Sequence, residues 1–108
     1  MSDTRTYILR PDHVRTIIQC IGERALELER AGRDDEASVH YIILARVVDV
    51  YLADDTRSTV RLQVDARTAL LIGATLVTLA KGRATPTREA QDALAAWVDA
   101  EDMALARA

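Results

Sequence analysis

The chain has 108 residues, 14 of them Lys or Arg and 17 Asp or Glu, for a formal net charge of -3; this length suits one domain with a single core, and the acidic balance, taken over the whole chain, argues against a general nucleic-acid binder. Apolar residues make up 49%, yet Phe is absent and Trp97, Tyr7, Tyr41 and Tyr51 are the only aromatic side chains, so the core is expected to be Ile, Leu, Val and Ala, which suits helix packing. The longest uncharged run, Thr68 to Ala80, falls short of the about 20 apolar residues that cross a bilayer and is expected to be a buried helix, while the lone Cys20 and the lack of a leader pattern point to the cytoplasm.

In chain order, Thr4 to Arg10 is a short extended segment containing Tyr7, Ile8 and Leu9, and Pro11 suits the first position of a helix. Val14, Ile17, Ile18, Ile21, Ala25 and Leu28 then recur at three- and four-residue spacing, predicting a helix over 11–31 with one buried stripe. Gly32 is a natural stop, and Asp34, Asp35 and Glu36 complement the positive end of a second helix over 35–53. From Tyr41 to Ala53 that helix is apolar on every side except Arg46 and Asp49, so it is expected at the centre of the bundle or against another subunit. Asp54 and Asp55 end it.

Between Ser58 and Asp65 the period changes to two, with Val60, Leu62 and Val64 on one face and Thr59, Arg61 and Gln63 on the other, which predicts a strand over 58–64. Asp65 is a good N-cap for a third helix over 65–81 through Leu70, Leu71 and Leu76. Gly82 closes it, Thr85 and Pro86 open a fourth over 86–105, and Ala90, Leu94, Trp97 and Val98 supply that helix's apolar face, with the final residues frayed.

The fold class is therefore mainly α: four helices and up to two short strands, near 5–9 and 58–64, in one domain over 1–108. Its two halves, 4–54 and 57–105, follow the same strand-helix-helix order, a βααβαα repeat. Asp12 matches Asp65, Arg15-Thr16 matches Arg67-Thr68, Gly22 matches Gly73, Gly32-Arg33 matches Gly82-Arg83, and Leu44-Ala45 with Val48-Asp49 match Leu94-Ala95 with Val98-Asp99. In such a duplication the two extended segments are the natural pair to lie together.

Residues able to carry chemistry are sparse. His13 and His40 stand in no metal-ligand spacing with Cys20 or a carboxylate cluster, and Cys20 has no histidine beside it to act as its base. Glu89 and Asp92 are the one carboxylate pair a helical turn apart in a clean helical context, and no matching pair faces them. The four glycines are isolated, so there is no phosphate-binding loop. Neither catalysis, a metal nor a cofactor is expected. The charges are polarised, however: between Thr56 and Arg88 six basic residues stand against Asp65 alone, whereas from Glu89 to Ala108 five acids stand against Arg107.

The stretch 56–100 resembles the ribbon-helix-helix DNA-binding family. Thr59-Val60-Arg61-Leu62-Gln63-Val64 correspond to the ribbon, a helix follows from Asp65, and Arg88-Glu89-Ala90 lead through Ala93-Leu94 to Trp97-Val98 after the Gly82 turn. The resemblance implies an antiparallel ribbon whose outward side chains enter the major groove, with Thr59, Arg61 and Gln63 facing bases and Thr85 or Thr87 near the phosphates. In the first half the outward register is Thr6, Ile8 and Arg10, a poor base-reading face. The leading expectation is a non-catalytic regulatory or adaptor protein that binds another protein chain, first its own copy as a homodimer, with Tyr41, Leu44, Val48 and Tyr51 at the subunit contact. The alternative is DNA binding through Thr59, Arg61 and Gln63.

Overall fold

The computed structural model describes residues 4–53, 58–81 and 87–107, in the order β1 (Thr4–Leu9), α1 (Pro11–Arg30), α2 (Asp34–Ala53), β2 (Val60–Asp65), α3 (Ala66–Ala80) and α4 (Thr87–Arg107). The mainly helical class, the four helices and both strands are thus as the sequence predicts. The turn and capping residues at 54–55 and 82–86 lie outside the described residues.

Each local signal has a physical counterpart. Arg10 is extended (φ -75, ψ 148), as a residue before proline prefers, and Pro11 starts α1 where no backbone donor is needed. Gly32, at φ 76, turns the chain between α1 and α2 in the left-handed region that glycine enters without strain. At the start of α3 the Asp65 carboxylate accepts the Thr68 backbone N–H at 2.7 Å, and this hydrogen bond holds its carboxyl below the usual Asp range. A carboxyl acidified by folding stabilises the native state above its unfolded pKa, and loses that contribution as pH falls through the folded value. Asp65→Ala should accordingly lower the melting temperature at neutral pH, and the gap from wild type should close in melts recorded at progressively more acid pH.

The strands pair antiparallel with Tyr7 opposite Leu62, Leu9 opposite Val60, Thr6 opposite Gln63 and Ile8 opposite Arg61. Alternation buries Tyr7, Leu9, Val60 and Leu62 beneath the ribbon and turns Ile8, Arg61 and Gln63 outward. The Tyr7 ring stacks on Trp97 of α4, centroids 4.0 Å apart and planes 6° from parallel, and its hydroxyl donates to Glu101 Oε1 at 2.9 Å. Arg107 donates from Nη2 to the Thr6 carbonyl at 3.0 Å, so the end of α4 is tied to β1 and stays helical to Arg107 rather than fraying.

The two halves are built alike. Val14, Ile17, Cys20, Ile21 and Ala25 of α1 are buried in the same rhythm as Ala69, Ile72, Thr75, Leu76 and Ala80 of α3; His40, Ile43 and Val47 of α2 match Ala90, Ala93 and Trp97 of α4. Crosswise packing completes the pattern, α4 lying along β1 and α2 along β2. In this register Arg10, not Asp12, occupies the position of Asp65, and Gly22 and Gly73 are not equivalent, because only the burial rhythm is shared within the first helices. The Leu44-Ala45 and Leu94-Ala95 match does hold in burial.

Two expectations about burial are corrected. The run Thr68 to Ala80 is not a buried helix throughout: Leu70 is 75% exposed and Val77 is exposed, since α3 rests on α1 and α4 and no described element covers its other side. Val98 is exposed rather than part of the buried face of α4, whose core positions are Ala90, Ala93, Trp97, Ala100 and Ala104.

Candidate functional site

Two surfaces follow from this frame: the outer face of the ribbon and the outer face of α2. On the ribbon, Arg61 and Gln63 project from β2, and exposed Thr59 immediately precedes the strand, so the three residues singled out in the sequence lie along one line. Their neighbours across the ladder are Ile8 and Thr6 of β1. Asp65 continues the same outward face, with Arg46 and Arg67 close enough to favour its charged form.

The electrostatic setting of this face is mixed. The amino ends of α1 and α3 begin where β1 and β2 stop, but Asp12 stands in the first turn of α1 and the Asp65 carboxylate already takes the α3 N–H. The flanking helices approach the strands through their carboxyl-terminal halves, α2 with Arg46, Val47 and Val50, α4 with Ala96 to Arg107. Those ends carry the negative pole of the helix dipole. Asp34, Asp35 and Glu36 at the amino end of α2 line a separate hollow with Gly32 and Arg33.

On α2 the sequence-selected residues divide. Leu44 packs toward α1, its Cδ2 3.8 Å from where a Cβ on Gly22 would lie, and the Tyr51 hydroxyl accepts from Arg15 Nε at 3.2 Å. Both therefore serve the intramolecular α1–α2 seam. Val48 is half-buried at its border, and Tyr41 is exposed, its hydroxyl donating to Glu29 at 3.4 Å. The residues that face fully outward are ones the sequence reading passed over, Ile42 at 55% exposure, Ala45 and Leu52 at 66%. The missed signal was the helical phase: the partner of α2 is α1, so the buried stripe runs through Ala37, His40, Ile43 and Val47, and the apolar residues opposite it are left outside.

Among the described residues there are also hollows that could take a small molecule. A groove of about 420 Å³ between β1 and α4 has Ile8, Leu9, Ala96, Ala100 and Met103 along its walls. Glu89 and Asp92 share a polar hollow of about 300 Å³ with Asp12, His13, Arg15 and Gln19. Among the described residues no group of three or more His, Cys, Asp or Glu could hold a metal ion. Cys20 is fully buried, and His40 is buried with Nδ1 2.8 Å from the Glu36 carbonyl oxygen. No described helix is long and apolar enough to cross a membrane. No family model matches the sequence, and neither the curated proteins nor the solved structures yield a match.

Proposed function

We propose that this chain is a non-catalytic regulatory or adaptor protein of the cytoplasm that works by contact with other protein chains, first with its own copy. The observation that carries this reading is the outer face of α2, where Ile42 and Leu52 lie more than half exposed beside Ala45 and Tyr41. Contiguous exposed aliphatic residues on a helix are costly in water and are the usual mark of a face that meets a partner. The buried lone cysteine is in keeping with a reducing compartment. Light scattering on the wild type at rising concentration tests the reading: a mass that grows beyond the monomer supports it, and a constant monomer mass contradicts it.

A second reading, a DNA-binding regulator, has its own specific support in the ribbon. Arg61 and Gln63 stand outward on an antiparallel pair contributed by the two halves, and both side chains suit base edges in the major groove. It ranks second on electrostatic grounds. The helix ends nearest the strands are carboxyl ends, and each helix amino end at the ribbon already has its own carboxylate, so phosphates meet little uncompensated positive field. Under this second reading Arg61→Ala leaves the melting temperature almost unchanged, because the side chain is exposed, and weakens specific DNA binding by about 1–3 kcal/mol. Retention of the wild type on heparin and duplex DNA at low salt, compared with the variant, checks this. Absence of salt-sensitive retention in the wild type removes the ribbon as a DNA surface.

A further inference from the structure

We propose that the outer face of α2 in one protomer docks on the outer face of α3 in a second copy of this chain. The inference rests on the self-association reading above and names the surfaces that meet.

Two exposed stripes have matching spacing. Along α2, Asp35, Ser38, Ile42, Ala45 and Asp49 are all exposed; along α3, so are Arg67, Leu70, Ala74, Val77 and Lys81. Both stripes step by three, four, three and four residues, the spacing that keeps side chains on one line of a helix. Each begins and ends with a charge and holds uncharged residues between, acidic on α2 and basic on α3. At about 1.5 Å of rise per residue the end charges of both stripes lie roughly 21 Å apart, so they coincide when the helices lie side by side.

Run antiparallel, Asp35 meets Lys81 and Asp49 meets Arg67. Ile42 then sits over Ala74, and Leu70 over Ala45, so each large side chain faces a small one, as ridges into grooves require. The ion pairs among the described residues, Arg5–Glu101, Arg10–Asp12, Arg24–Glu27 and Arg33–Glu36, involve none of these four charged residues. The other two helices do not offer α3 the same match. On α4 the exposed line of the same spacing, Arg88, Gln91, Ala95, Val98 and Asp102, has opposite charges at its two ends, so in either direction it sets Arg88 against Arg67 or Lys81, and on α1 Arg15 stands inside the exposed line between Asp12 and Gln19. The exposed Leu70, which has no role within the protomer, thereby acquires one.

Charge reversal in trans tests the pairing. The variant Arg67→Glu/Lys81→Glu has acidic stripes on both helices, and Asp35→Lys/Asp49→Lys has basic stripes on both. Sedimentation equilibrium should find each alone dissociated, with Kd raised by about tenfold or more, and an equimolar mixture of the two restored to association, since each then offers what the other lacks. Melting curves verify that both remain folded, as expected for exposed positions. Either double variant associating like the wild type, or a mixture that stays monomeric, overturns the α2–α3 contact. A wild type that associates but ignores these charges overturns this contact alone, whereas a wild type that is monomeric throughout overturns the self-association reading with it.

Discussion

Trp97→Ala should destabilise the protein by about 3–5 kcal/mol, a large share of the roughly 5–15 kcal/mol by which an ordinary domain is stable. Trp97 is 1% exposed and is the largest fully buried side chain. It holds three elements together: its own helix α4, strand β1 through the stack on Tyr7, and α3, where a Cβ added at Gly73 would lie 3.5 Å from the indole Nε1, in van der Waals contact. Cores made of small and medium aliphatic residues have no second side chain of that volume to fill the void, and with Ala90, Ala93, Ala100 and Ala104 on the same helix face the site cannot collapse onto larger neighbours. Trp97→Phe, which keeps a ring against Tyr7, should cost less than half as much. Urea unfolding followed by far-ultraviolet circular dichroism measures both. A loss under about 1 kcal/mol for the alanine variant would mean that Tyr7 and Trp97 do not organise this core.

The second large effect separates the two faces of α2. Val47→Asp should strongly destabilise the fold, because Val47 is 1% exposed in the main core, where a carboxylate loses its hydration at a cost of several kcal/mol. Ile42→Asp, on the opposite side of the same helix, should leave the melting temperature of the monomer within a few degrees of wild type, since it replaces an exposed aliphatic with an exposed acid. Thermal melts at low protein concentration distinguish the two. A strongly destabilised Ile42→Asp would place Ile42 in the protomer's own core and remove the basis for an outward-facing partner surface.

How far these features were legible in the sequence depends on which neighbours each element meets. The strand at Val60–Asp65 was legible because alternation of Val60, Leu62 and Val64 with Arg61 and Gln63 has a period no helix shares, and the Asp65 cap was legible because its chemistry is local. The Tyr7–Trp97 stack was not, since it joins residues at opposite ends of the chain and nothing near either one announces the other. For α2, composition was a poor guide to orientation. A helix apolar all round carries no phase, so only the position of α1 decides that Leu44 and Tyr51 turn inward while Ile42 and Leu52 turn outward. The same holds for α3, where Leu70 and Leu71 look alike in sequence but Leu70 faces away from both neighbouring helices. Along the ribbon, by contrast, Arg61 and Gln63 stand where alternation places them, and Thr59 continues their line from just outside the strand.

Sedimentation equilibrium of the wild type beside Ile42→Asp, from micromolar to millimolar concentration, decides whether α2 presents its outer face to another copy of the chain. The wild type should gain mass with concentration while Ile42→Asp, equally well folded, stays monomeric over most of that range. A wild type that remains monomeric throughout, or a variant that associates as readily as the wild type, would contradict that contact.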